Sequence, residues 1–233
     1  ATPGIDPRQA PVTTVVRNQL AGAGLVAEVG GGYQPALEGA ISAAGLRAAV
    51  LELYPTVGGR VPQFWLDPER MADSVRLVAD QLARLNPAAA SVYRDKARDL
   101  EQSLKALSID YRTTLSDCSL HTMVTTDAQF DDAADRYGIS DHALATLATT
   151  TPGVVAAVST IRAARVSVIF DETLADNTLT DQAAAVARVR RETLDTISGP
   201  PAGGWPAGST YQSLMESNLT RLARGLQCVP AGG

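Results

Sequence analysis

Apolar positions recur at helical spacing over the middle of the chain. Met71, Val75, Val78, Leu82 and Leu85 share one helical face. Asp67 followed by Pro68 and Glu69 supplies a start signal: an N-cap carboxylate, proline in the first turn, then an acid. Asn86-Pro87 repeats that signal, and neither Gly nor Pro follows until after Cys118. Tyr93, Ala97, Leu100, Leu104, Leu107, Tyr111 and Leu115 then mark a second stripe. The pattern predicts a helix over 87–116, a rod of roughly 40 Å at 1.5 Å per residue. Such a rod either joins two lobes or folds as one arm of a helical hairpin. On either side, short apolar runs alternate with helical patterns. Strands are predicted at 25–29, 48–53, 122–126, 166–170 and 190–194. Helices are predicted at 12–23, 35–44, 128–137, 141–148, 152–164, 178–189 (Thr178 as N-cap) and 210–226, with a loop at 54–62. Strand–helix alternation on both sides implies an α/β fold of two lobes, each a small parallel sheet flanked by helices. The boundaries read as 1–85, 86–117 and 118–233. The segment 198–208 (SGPPAGGWPAG) is irregular by composition, and Trp205 is placed on an exposed loop there.

Composition changes this picture little. The chain has 233 residues, 45% hydrophobic and 19% charged, as expected of a globular protein. A net charge of −5 argues against a nucleic-acid partner. No run approaches the roughly 18 apolar residues of a membrane span. There is no signal-peptide core at Ala1, which leaves a cytosolic chain or a mature exported one. Cys118 and Cys228 are the two cysteines, open to one disulfide or to two separate thiols. No GxSxG, HExxH or P-loop motif supports an enzyme.

Several stretches resemble the solute-binding proteins of zinc- and manganese-type ABC transporters. They are DPR at 6–8, GGY at 31–33, PQFWLDP at 62–68, VTTDAQF at 124–130 with RYGI at 136–139, LDTI at 194–197, and TYQSLMESNL at 210–219. The resemblance spans nearly the whole chain; the FWLDP and RYGI blocks are the specific ones. It implies two α/β lobes joined by one backbone helix, an extracytoplasmic place, and a membrane permease as partner. It also implies either a soluble periplasmic chain or one tethered to lipid or wall through residues outside this chain, a monomer, and no cofactor beyond a divalent ion, zinc or manganese. The family's strand–helix–strand unit before the DPR-like motif has no counterpart in this sequence, so either the N-terminal lobe is shortened or the sequence is trimmed there. In an exported protein of this kind the two cysteines are expected to be joined.

The family holds its ion with four side chains, one from each of four loops. Carried over residue by residue, those positions are Arg8, Gln63, Asp127 and Asp195. Arg8 has no lone pair to offer a cation, and Gln63 offers a neutral amide oxygen. A metal, if bound, would rest on Asp127 and Asp195. Arg8 either replaces the ion by pairing with one or both aspartates, or lies in an N-terminal segment that touches nothing. His121, at the start of the strand leading to Asp127, is a further candidate against a structural or exposed reading. Glu172 is another, at a strand's carboxyl end where α/β ligands gather, against a role in helix capping. His142 is expected to face solvent and Trp65 to pack between the lobes. The expected function is a transporter solute-binding protein with a lost or altered metal site. The alternatives are a surface interaction module on the same scaffold, or a binder of another small solute in the cleft.

Overall fold

The computed structural model describes residues 3–45, 49–147 and 149–229. A single 3₁₀ turn, Pro7–Gln9, precedes α1 (Thr14–Gly22), β1 (Leu25–Glu28), α2 (Pro35–Ala43), β2 (Ala49–Glu52) and α3 (Tyr54–Val57). Then come α4 (Pro68–Leu85), α5 (Ala90–Ser116), β3 (Thr122–Thr125), α6 (Asp131–Arg136) and β4 (Ser140–Ala143). The chain closes with α7 (Thr151–Ala164), β5 (Val168–Glu172), α8 (Thr178–Ala187), β6 (Arg190–Leu194) and α9 (Tyr211–Gly225). β1 and β2 form a two-stranded parallel sheet, and the other strands form a parallel sheet of order β4-β3-β5-β6.

The second sheet is packed on both faces. Strand side chains alternate, so Met123, Val168 and Phe170 face one core and Val124 and Ile169 the other. On the first face lie Leu107, Tyr111 and Leu115 of α5 and Met215, Leu219 and Leu222 of α9. On the second lie Ala157, Val158 and Ile161 of α7 and Leu179 and Ala183 of α8. α9 comes close because Gly225 has no side chain: a Cβ there would sit 2.4 Å from Cζ of Phe170. The Tyr111 hydroxyl donates to the Met215 carbonyl at 2.7 Å, tying α5 to α9. Cys118 and Cys228 are disulfide-bonded, closing the start of this unit onto its end.

The long helix satisfies both readings of its pattern. α5 is continuous over 27 residues. It also packs antiparallel on α4, with Glu69 against Ser108 and Arg112 and Asp80 against Arg94. Its C-terminal half enters the core of the larger sheet. Its N-terminal half, with α4, lines an apolar groove of about 460 Å³ that includes Val75, Val78, Leu82, Tyr93 and Leu100. Leu100, placed on the buried stripe by its spacing, is 46% exposed there. The N-terminal sheet is correspondingly thin, and Leu25, Val26 and Ala27 are all at least partly exposed.

Several local expectations are corrected. The helix predicted at 141–148 is the strand β4, because Ser140–Ala143 pairs in register with Thr122–Thr125, and tertiary pairing overrides local helical preference. Ala48 and Ala148, at the ends of a predicted strand and helix, lie outside the described residues. The loop predicted from Tyr54 opens with a turn of helix. Asn86 makes no side-chain cap; a 3₁₀ turn, Pro87–Ala89, precedes α5. Asn177 rather than Thr178 is the N-cap residue of α8, and its amide is used elsewhere: Oδ1 accepts from Thr126, and Nδ2 donates to the Glu172 carbonyl.

Candidate functional site

Arg8 stands on the 3₁₀ turn that Asp6 caps. Asp6 accepts from the Arg8 backbone N–H and from its Nε, each at 2.8 Å. The guanidinium then reaches across to Asp127, with Nη1 to Oδ2 at 3.1 Å. Burial works against the Arg8 charge, but Asp6 first and Asp127 next outweigh it, so its pKa is raised. The N-terminal segment is therefore anchored, and of the two aspartates considered Arg8 pairs with one. Asp127 follows β3, and its Oδ1 accepts from the Ala128 N–H at 2.8 Å. The pair stands between two cavities that both include it. One, of about 270 Å³, runs toward Thr126, Leu144, Asp176 and Thr180. The other, of about 330 Å³, runs toward Gly32, Tyr33 and Gln63.

Gln63 is buried, and its amide donates to Oε1 of Gln129 at 3.3 Å. Gln129 in turn donates to Oε2 of Glu172 at 3.3 Å, and the same oxygen accepts from the Asp127 N–H at 3.1 Å. Burial pushes the Glu172 carboxyl well above the ordinary range, and the negative charges of Asp127 and Asp141 push it further. Glu172 supports the loop carrying Asp127 through Oε2, and its Oε1 has no hydrogen-bond partner among the described residues. Asp195, just after β6, is apart from this group. Its Oδ1 accepts from the Ile197 N–H at 2.8 Å and from Thr173 at 3.3 Å, and its Oδ2 from the indole of Trp205 at 2.7 Å. Among the described residues no hydrogen bond or ion pair joins Asp195 to Arg8, Gln63 or Asp127. His121 and His142 are both exposed, outside this cluster.

Zinc favours tetrahedral sets of imidazole, thiolate and carboxylate. The four positions instead carry a guanidinium, an amide and two carboxylates already occupied by donors of the chain. No group of three or more His, Cys, Asp or Glu side chains among the described residues could hold a metal ion. As arranged, the set is a poor fit to zinc.

Further contacts join the segment 60–69 to the C-terminal unit. Arg136 of α6 pairs with Asp67 (Nε to Oδ2, 2.5 Å) and with Glu69 at 3.0 Å. The Asp132 carboxylate accepts from the backbone N–H groups of Arg60 and Val61 at 2.8 and 3.1 Å. Trp65, expected between the lobes, donates to the Thr196 carbonyl at 2.8 Å and accepts through its own carbonyl from Tyr211.

Sequence reasoning missed three participants. Asp6 was signalled by the Asp-Pro cap pattern that also marks Asp67. Gln129 and Trp205 carried no signal, and Trp205 is corrected from an exposed loop position to a half-buried partner of Asp195.

Two lobes with a polar cluster at their junction and a long helix behind it define a cleft-type binding protein. The family described as "Zinc-uptake complex component A periplasmic" matches residues 1–225, and the chain belongs to that family of solute-binding proteins, which are not enzymes. Among curated relatives, the zinc-binding protein AdcA of Streptococcus pyogenes serotype M6 is 26% identical over 165 residues, 69% of this chain and 32% of AdcA. The chain thus spans about a third of that relative. Among solved structures, the periplasmic zinc-binding protein TroA of Treponema pallidum superposes with a TM-score of 0.80 at 19% identity, covering 97% of this chain and 89% of TroA. The laminin-binding protein Lmb of Streptococcus agalactiae, described as a bifunctional protein with adhesin and metal transporting activity, superposes at 0.83 with 18% identity, covering 97% and 89%. At these identities the superpositions establish the fold.

Proposed function

We propose that this chain is the solute-binding component of a metal-type ABC transporter in which capture of zinc or manganese at the usual position is lost or altered. In this reading residues 1–85 and 118–233 are two lobes, 86–117 is the strut between them, and Arg8, Gln63, Asp127 and Asp195 are the ligand positions. The chain works outside the cytoplasm, free or tethered to lipid or wall, and presents its closed lobes to a membrane permease as a monomer. The observation that carries the reading is the Arg8–Asp127 pair at 3.1 Å, a fixed positive charge held on one of the proposed ligand positions. A cation brought there meets electrostatic repulsion and must compete for an occupied carboxylate. Family membership supports the transporter role.

A second reading is a surface module that kept the scaffold and binds a partner through its exterior, and the likeness to the adhesin Lmb favours it. Calorimetry tests the altered metal site, which both readings share, against ordinary metal capture. Titration with zinc and with manganese is expected to give no saturable heat at micromolar concentration. Micromolar or tighter binding that Asp127→Ala abolishes would restore ordinary metal capture and contradict the altered site.

A further inference from the structure

Arg8 accounts for one of the two carboxylates at the ligand positions. The other, Asp195, is 7% exposed and meets no cationic partner among the described residues. Its Oδ2 accepts from the indole N–H of Trp205. We propose that Trp205 is a second internal surrogate for the ion and a specificity-determining residue of the cleft: its N–H fills the direction in which Asp195 would bind a cation. This rests on the reading that the cleft is occupied by the chain's own donors, and it adds a residue that family positions do not mark.

The donor set on Asp195 is nearly complete. An ionised carboxylate offers about four acceptor directions. Three are used, by the Ile197 N–H, the Thr173 hydroxyl and Trp205, and the indole contact at 2.7 Å is the shortest. All three donors are neutral, and a metal approaching Oδ2 must first displace a half-buried ring. The other oxygen is turned into the backbone turn that ends β6 and is not free to replace it.

The stretch that carries the ring is braced by the segment that also carries Arg8. Trp205 belongs to the irregular stretch 198–208. The Gly4 N–H donates to the Pro200 carbonyl at 2.9 Å, bracing that stretch on the N-terminal segment. Gly4 has φ +78°, and a Cβ there would lie 3.1 Å from Cα of Ala202, so the two segments touch backbone to backbone. Arg8 and Trp205 are thereby parts of one cover whose two N–H donors meet the two carboxylates. Restoring imidazoles at positions 8 and 63 therefore rebuilds only half the site.

The test compares Arg8→His/Gln63→His with the same pair plus Trp205→Phe, which keeps an aromatic ring and removes the donor. Zinc chloride is the titrant, followed by calorimetry. The triple variant is expected to bind zinc at least tenfold more tightly than the double. No gain on removing the indole, whether both bind equally or neither binds, overturns the proposal. Zinc binding by the unaltered chain bears instead on the proposed function. Should the variants fold poorly, NMR of the unaltered chain decides. The Trp205 indole proton is expected to be downfield and slow to exchange, and to lose both properties in Asp195→Ala. An indole resonance indifferent to that substitution overturns the proposal as well.

Discussion

The two sheets of this molecule are built to different standards. The four-stranded sheet has helices on both faces, and its central strand β5 is buried at every position. The two-stranded sheet leaves β1 half open and borders an apolar groove on α4 and α5. Parallel strands are ordinarily covered on both faces, which the larger sheet achieves and the smaller does not. Stability is therefore expected to reside in the C-terminal unit, and adaptability in the segment that carries Arg8, Gly31, Gly32 and Gln63.

The largest effect should come from the larger sheet. Phe170→Ala removes a fully buried ring that packs on Gly225 and is expected to cost about 3–5 kcal/mol in urea unfolding. Val26→Ala in β1, only half-buried, is expected to cost about 1 kcal/mol. Equal costs would erase the contrast. At the seam, Asp67→Ala removes the more buried of the two carboxylates on Arg136, leaving Glu69, and removes the cap of α4, since Asp67 also accepts from the Glu69 N–H at 3.0 Å. A loss of about 3 kcal/mol is expected by thermal or urea unfolding.

A smaller effect appears against pH. Burial pushes the Asp141 carboxyl from 3.8 to about 7, with the Thr125 hydroxyl partly opposing it. The folded state then holds this proton more tightly than the unfolded chain does. Its contribution to stability is full below about pH 4, falls as pH rises, and is gone above about 7. Asp141→Asn is expected to flatten that part of the stability–pH curve; an unchanged slope would assign it to other groups. The smallest effect is that of Arg8→Ala, about 0.5–1 kcal/mol, because the ion pair is partly exposed.

The contrast also explains what could be read from the sequence. The larger sheet announces itself because β-branched runs and helical stripes are bounded by caps and turns, as at Val168 and Thr210. β4 was not legible: Ser140–Ala143 has no apolar alternation and is a strand only because β3 lies beside it. At the site, position matching picked out Arg8 and Asp127, and chemistry offered a guanidinium–carboxylate pair beside an Arg8 that touches nothing. It could not choose between Asp127 and Asp195. That choice depends on a glycine-rich stretch whose path follows from contacts with Gly4, and such contacts between irregular segments leave no periodicity to detect.

The central claim, that the chain's own donors stand where a cargo ion would, is tested most directly by crystals grown with millimolar zinc and an anomalous difference map at the zinc edge. The account predicts intact Arg8–Asp127 and Trp205–Asp195 contacts and no zinc peak between the lobes. A peak about 2.0–2.2 Å from both Asp127 and Asp195, with Arg8 and Trp205 swung aside, would contradict it.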